Sequence, residues 1–240
     1  MLTKTLNLVL LRHGTTDHNT GLRLTGWGDP DLNEVGRSEA AKAALDLAAT
    51  YPIEAIYTST LKRAQQTAAY LSEATGLPLN VDADLKELNF GEMEGRTIPE
   101  MRESHPELFT AWRDSDNPDF GWPGGETRQI FHSRVDMAIW RAIQASIAQG
   151  YSTVAIVGHG AALAGFVTEI LVGSPFGWRD NLLQNCEHYV VAVDYPVLTE
   201  TLSEGASVQV IDHNVALVEK EQVSLRVVKI GKTIDLAAEA

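Results

Sequence analysis

The chain reads as α/β, on three observations. Leu8 to Leu11 is an apolar run without polar alternation, the pattern of a strand covered on both faces, and Ile53 to Ser59 and Thr153 to Val157 read as two further buried strands. Stretches of helix-forming composition follow them in the chain. Two of the runs end on a histidine followed by glycine, at Arg12-His13-Gly14 and at Gly158-His159-Gly160. In open α/β sheets the ligand lies outside the carboxyl ends of the strands, so both histidines stand where chemistry is expected.

At 240 residues and 44% hydrophobic the chain can bury one sizeable core, and a single domain spanning 1–240 is expected. No apolar run reaches bilayer length, and no basic segment precedes an apolar signal core near Met1, so no membrane association and a cytoplasmic location are expected. The single Cys186 agrees with a reducing compartment and reads as a small buried residue, not a nucleophile. A formal charge of −13 argues against a nucleic-acid partner, which would need clustered Lys and Arg. It does not exclude a small anion, because screening confines long-range repulsion to about 8 Å. Composition leaves a homodimer open.

In order, Leu8 to Leu11 is the opening strand, and Gly14 lets the chain turn and approach a ligand closely. Thr15 to Asp31 is a polar loop long enough to fold over a site, and in it Asn19, Arg23, Thr25 and Gly26 are candidates to reach an anion. Asp29-Pro30-Asp31 reads as a turn, and with no further ligand at metal spacing no metal is expected. Asn33 caps a helix to about Thr50. Ile53 to Ser59 is the second buried strand, and Ser59 or Thr60 caps a helix that Gly76 ends. Arg63 falls in that helix's first turn, where free amides and the dipole already favour an anion.

Leu79 to Asp82 is a short edge strand. Beyond it Glu87 stands between Leu85 and Leu88, apolar neighbours that favour a protonated carboxyl; Glu92 and Glu94 are its rivals as an acid. Residues 92–125 form a lid segment, helical from Ile98 and then irregular, rich in Phe109, Trp112, Phe120 and Trp122. These aromatics suggest an organic group beyond a phosphate. Gly124-Gly125-Glu126-Thr127 starts a helix to about Gln149, with Thr127 or Glu126 serving its free amides. Thr153 to Val157 is the third buried strand, and an apolar helix runs on to Gly173. Strands are expected at Glu187 to Asp194 and Val208 to Ile211, and the β-prone patch LRVVKI lies in a C-terminal extension, 195–240, without an assigned role.

Arg12, His13, Arg63 and His159 come from three strand ends or the turns after them, so βαβ units would gather them. Two guanidinium forks and two imidazoles suit a tetrahedral oxyanion, and phosphate is the ligand to expect. Neighbouring cations disfavour protonation of imidazole, so one histidine can stay neutral and attack phosphorus in line, without a metal or other cofactor.

These motifs carry a resemblance. LRHG, then Ser59, Leu61, Arg63, Ala64, Thr67 and Ala68, then Leu85, Glu87, Phe90, Gly91, Glu94 and Gly95, then GGET and VGHG, together resemble the histidine phosphatase superfamily, which includes cofactor-dependent phosphoglycerate mutases and many small-molecule phosphatases. The resemblance covers roughly Leu8 to Val172. It implies a three-layer α/β sandwich with a mostly parallel central sheet, helices on both faces and a lid insertion. It further implies that His13 becomes a phosphohistidine, that Arg12, Arg63 and His159 form the phosphate pocket with Gly160 beside them, that Glu87 protonates the leaving group, and that Asn19 is a polar pocket position. Thr15 departs from the commonest first motif, and the tail after Asp194 is longer than usual. Mutase members carry a long basic insertion before the GGET-like motif, which this chain lacks. A phosphomonoesterase acting on a small phosphorylated metabolite is therefore expected over a mutase, and over a phosphate-binding module without activity, which would have lost a pocket residue.

Overall fold

The computed structural model describes residues 3–113, 117–196, 220 and 223–231. Within them six strands, β1 (Thr3–Arg12), β2 (Ala55–Ser59), β3 (Leu79–Asp82), β4 (Thr153–Gly158), β5 (His188–Pro196) and β6 (Ser224–Gly231), form one sheet in the order β3-β2-β4-β1-β5-β6. The first four are mutually parallel; β5 runs antiparallel to β1, and β6 antiparallel to β5. Side chains alternate along each strand, and both faces are covered. Leu6, Leu8 and Leu10 join the core under α6 (Arg128–Ala148) and α7 (Gly160–Val172). Val9 and Leu11 join the core under α2 (Glu34–Thr50) and α3 (Lys62–Thr75). That is why Leu8 to Leu11 shows no polar alternation: all four are at most 1% exposed. Burying each contributes about 1.5–3 kcal/mol.

The expected three-layer arrangement is therefore present. Asn33 caps α2 by accepting from Gly36 N, and Thr127 caps α6 by accepting from Ile130 N. Gly76 and Gly173 close α3 and α7 in the left-handed region, at φ 74° and 78°. One expected cap is corrected: Leu61, with no side-chain cap bond, precedes α3, because the Ser59 hydroxyl accepts from Leu61 N and is turned toward His159. The second strand begins at Ala55, not Ile53. Glu54 instead accepts the Ser152 and Thr153 amides through its carboxylate.

Within 92–125 lie two short helices, α4 (Ile98–Ser104) and α5 (Pro106–Arg113), then an irregular stretch. Its aromatics are corrected from ligand-facing to core. Phe120 and Trp122 are buried with ring centroids 5.4 Å apart, and Trp112 packs 6.2 Å from Trp122 and 5.6 Å from Phe109. The patch LRVVKI becomes β6, which makes β5 an interior strand. The strand expected at Val208 to Ile211 lies outside the described residues. Among the described residues no helix is long and apolar enough to cross a membrane.

Where α6 meets α7, His132 packs against Gly165, whose missing Cβ would fall 2.4 Å from the imidazole. The ring lies between Phe131 and Phe176, and its Nε2 has no hydrogen-bond partner. Burial, with the Arg128 and Arg134 charges second, pushes its pKa down to about 4. Below pH 6.5 the unfolded chain therefore binds a proton that the folded chain refuses. Stability should fall with pH from 6.5 to about 4, by roughly 3 kcal/mol in all from this site. Urea unfolding at pH 7 and pH 4.5 should show a smaller drop for His132→Gln than for the natural chain; equal drops would exclude His132 as a source.

Candidate active site

Parallel pairing of β1 with β4 sets Arg12 opposite Gly158, so His13 and His159 leave the sheet side by side. His13 N donates to Gly158 O at 3.0 Å, and the two imidazole centroids are 5.2 Å apart. His159 is the residue preceding α7. Its side chain makes no cap bond and its Nε2 lies 2.8 Å from Ser59 Oγ, at the end of β2. Three strand ends thus converge on two buried histidines.

His13 Nδ1 lies 2.7 Å from Gly14 O. A carbonyl only accepts, so Nδ1 carries the proton and Nε2 is the unprotonated, accepting nitrogen. Arg63 Nε donates to that Nε2 at 3.2 Å. The rest of the Arg63 fork is spent on carbonyls, Nη1 on Gly28 O and Nη2 on Gly26 O, each at 2.8 Å, with the residue 1% exposed. Arg12 donates through Nη1 to Leu183 O, and its Nε is buried without a partner, as is His159 Nδ1. Burial first, then the Arg63 and Arg12 charges, hold His13 well below the usual imidazole range. His159 is lowered in the same way, by burial, then Arg63, His13 and Arg12. Burial also lowers Arg63 to about 10, which leaves it charged at neutral pH.

Glu87 reaches this cluster from the loop after β3. Its Oε2 accepts from Ala161 N, in the first turn of α7, at 3.0 Å, and its Oε1 from Leu88 N at 2.8 Å. Leu85 and Leu88, which flank it in sequence, are buried in the core. Glu94, one of its rivals, is fully engaged: it accepts the amides of Trp27, Gly28 and Phe90. Glu92 is exposed.

The loop candidates have other duties. Gly26, at φ 53°, offers its carbonyl to Arg63, and a Cβ there would fall 2.2 Å from Glu94 Oε1. Thr25 O accepts Gly28 N in the same turn. Arg23 is half exposed, bonded to Gly95 O and 3.6 Å from Glu100. Asn19 Oδ1 accepts from Thr16 N, completing a capping box on the short helix α1 (Asp17–Thr20). Gly160 admits the Arg12 guanidinium, which a Cβ would meet at 3.4 Å. Gly14 lies close against the backbone of Gly36 in α2, where a Cβ would fall 2.5 Å from Gly36 O. Three contributors were not singled out for these roles. Asn185 donates to His13 O at 2.9 Å, Ser59 holds His159, and Thr67 Oγ1 accepts Gly14 N. Asn185 is 172 residues from His13 and carries no local motif.

Among the described residues no three His, Cys, Asp or Glu side chains gather in a way that could hold a metal ion. The cluster can instead bind an oxyanion between two guanidinium groups and present an unprotonated imidazole nitrogen to it.

The sequence profile of the histidine phosphatase superfamily (branch 1) matches residues 8–198. A glucosyl-3-phosphoglycerate phosphatase of Mycolicibacterium vanbaalenii is 36% identical over 174 residues, 70% of this chain and 75% of that protein. A metal-independent phosphoserine phosphatase of Arabidopsis thaliana is 32% identical over 182 residues, 75% of each chain. Among solved structures, a chain described as mycobacterial hydrolase 1 superposes with a TM-score of 0.77 at 26% identity, over 95% of this chain and 99% of that one.

Arg63→Lys keeps the charge and loses the fork, so it should weaken inorganic phosphate binding by about tenfold or more, the worth of one charge-assisted hydrogen bond. Isothermal titration of both proteins measures this. An unchanged Kd would mean that the position needs charge alone.

Proposed function

The chain belongs to the histidine phosphatase superfamily (branch 1), and from that membership we propose that it hydrolyses a small phosphomonoester through a phosphohistidine on His13. The observation that carries the assignment is the His13 tautomer: Nδ1–H is bound to Gly14 O, which leaves Nε2 unprotonated, and in this reading the Arg63 Nε–H that now meets its lone pair passes to a phosphoryl oxygen when substrate binds. Nε2 attacks phosphorus in line, the N–P bond forms as the P–O ester bond breaks, and a protonated Glu87 gives its proton to the departing alkoxide. Water then attacks phosphorus, passing a proton to the Glu87 carboxylate. The N–P bond breaks and phosphate leaves. Arg12 and Arg63 hold the equatorial oxygens throughout, and His159 adds a donor on the far side of the group. The depressed basicity of His13 supports this reading, because a protonated imidazole has no lone pair to offer.

The named activities of the two relatives support a small phosphorylated substrate. Water is the acceptor in this reading, and the compact α4–α5 insertion supports it over transfer to a second metabolite. We assign no role to a metal, since Arg12 and Arg63 supply the positive charge. We further read the chain as one domain, with 92–125 as a lid over the site. Backbone bonds between Leu24 and the 95–96 stretch support that reading by lacing the 15–31 loop to the segment. We read the location as cytoplasmic, a reading with which the single Cys186 agrees.

Rapid quench with labelled substrate should trap an acid-labile, base-stable adduct on the natural chain and none on His13→Ala; near-normal turnover by that variant would sink the assignment. Activity should persist in EDTA and be inhibited by vanadate. Loss on chelation with recovery on adding one divalent ion would overturn the metal-free mechanism. Glu87→Gln should slow phosphorylation by an alkyl phosphate about 10²–10⁴-fold, and much less with p-nitrophenyl phosphate, whose leaving group needs no proton.

A further inference from the structure

Arg134, on α6, uses all five N–H donors of its guanidinium, three of them on the segment that carries Glu87 and two on Glu126. Nη1 donates to Asp84 O and Lys86 O, at 2.8 and 2.7 Å, and Nη2 to Glu87 O at 2.8 Å. The remaining two go to Glu126, Nε to Oε2 at 2.9 Å and Nη2 to Oε1 at 2.5 Å. Glu126 Oε1 also accepts Asn89 N, so the pair grips the loop on both sides of Glu87. From the opposite side Trp27 Nε1 donates to the same Glu87 carbonyl at 2.8 Å. The side chains of Arg134 and Glu126 are only 12% and 11% exposed.

A buried ion pair is a poor source of net stability, because removing two charges from water offsets most of their attraction. An ion pair that puts three donors and one acceptor on the backbone of one loop is better explained by what the loop carries. Glu87 must stand within hydrogen-bond reach of a leaving oxygen, and its side chain accepts the Leu88 and Ala161 amides, while its backbone carbonyl accepts from Arg134 and Trp27. We propose that Arg134, locked in place by Glu126, is a positioning residue that sets the Glu87 carboxyl against the leaving group. This inference rests on the reading of Glu87 as the proton donor. It also gives Glu126 of the GGET stretch a role beyond starting α6.

The test uses the full chain and single-turnover phosphorylation of His13 by an alkyl phosphate and by p-nitrophenyl phosphate. The double variant Arg134→Gln/Glu126→Gln removes the clamp without leaving one buried charge unpaired. With the alkyl phosphate its rate should fall by about 10²-fold, the cost of a catalytic group displaced by about 1 Å. With p-nitrophenyl phosphate it should stay within about threefold, because that leaving group needs no acid. Arg134→Lys, which keeps the charge opposite Glu126 but cannot reach three carbonyls, should show the same selectivity in milder form, and it serves if the double variant does not fold. Equal losses with both substrates, or none, would overturn the inference, since loosened packing has no reason to distinguish leaving groups. Glu87→Gln is run alongside. If it is selective and the Arg134 variants are not, positioning alone fails; if it is not selective, the proton-donor reading fails with it.

Discussion

The site depends on one backbone pairing, the parallel ladder between β1 and β4. It aligns two strands far apart in the chain so that Arg12 faces Gly158, and it leaves His13 and His159 as adjacent exits from the sheet. Everything else is built outward from that pair: β2 brings Ser59 to one imidazole, α3 brings Arg63 to the other, and α7 presents its first turn to Glu87. A register slip in this ladder would move one histidine away from the other and reverse the faces of Leu8 to Leu11. Core and site therefore hold the same register for independent reasons.

Carbonyls, not carboxylates, satisfy the guanidinium of Arg63, and Arg12 too is tied to a carbonyl. Carbonyl oxygens provide hydrogen bonds without cancelling charge, so the positive field survives burial in a chain whose formal charge is −13. That field does two things at once. It suits an oxyanion, and, second to burial, it helps to hold the His13 imidazole well below its usual basicity. The 26–28 turn makes this possible, with Glu94 collecting the Trp27 and Gly28 amides so that the carbonyls of Gly26 and Gly28 point inward.

His13, Arg12 and His159 were legible because a buried strand ending in a polar motif is a local pattern, and Arg63 because its helix begins just after such a strand. Asn19 and Arg23 were legible as polar loop residues but not in what they bond. A capping box and a carbonyl contact decide that, and both depend on where the chain folds back. Asn185 and Arg134 were hidden for the same reason, since their partners are backbone carbonyls and carbonyls leave no mark on sequence. The insertion's aromatics misled because bulky rings suit a ligand and a core equally. Only burial of Phe120 and Trp122 separates the two. The edge role of LRVVKI was visible only as β propensity, since pairing with β5 spans a stretch that the local pattern cannot bridge.

That last strand has a consequence for handling the protein. With β6 in place, the sheet ends on a strand where exposed Ser224 and Arg226 alternate with half-buried Leu225 and Val227, and Arg226 is paired to Asp194. A chain shortened after Pro196 would instead end its sheet on β5, whose run from Tyr189 to Val193 is buried throughout. An uncapped apolar edge of that kind is a template for strand addition by a second molecule. Residues 223–231 thus cover an apolar sheet edge although they stand outside the matched family region, and a chain trimmed to that region would be expected to associate.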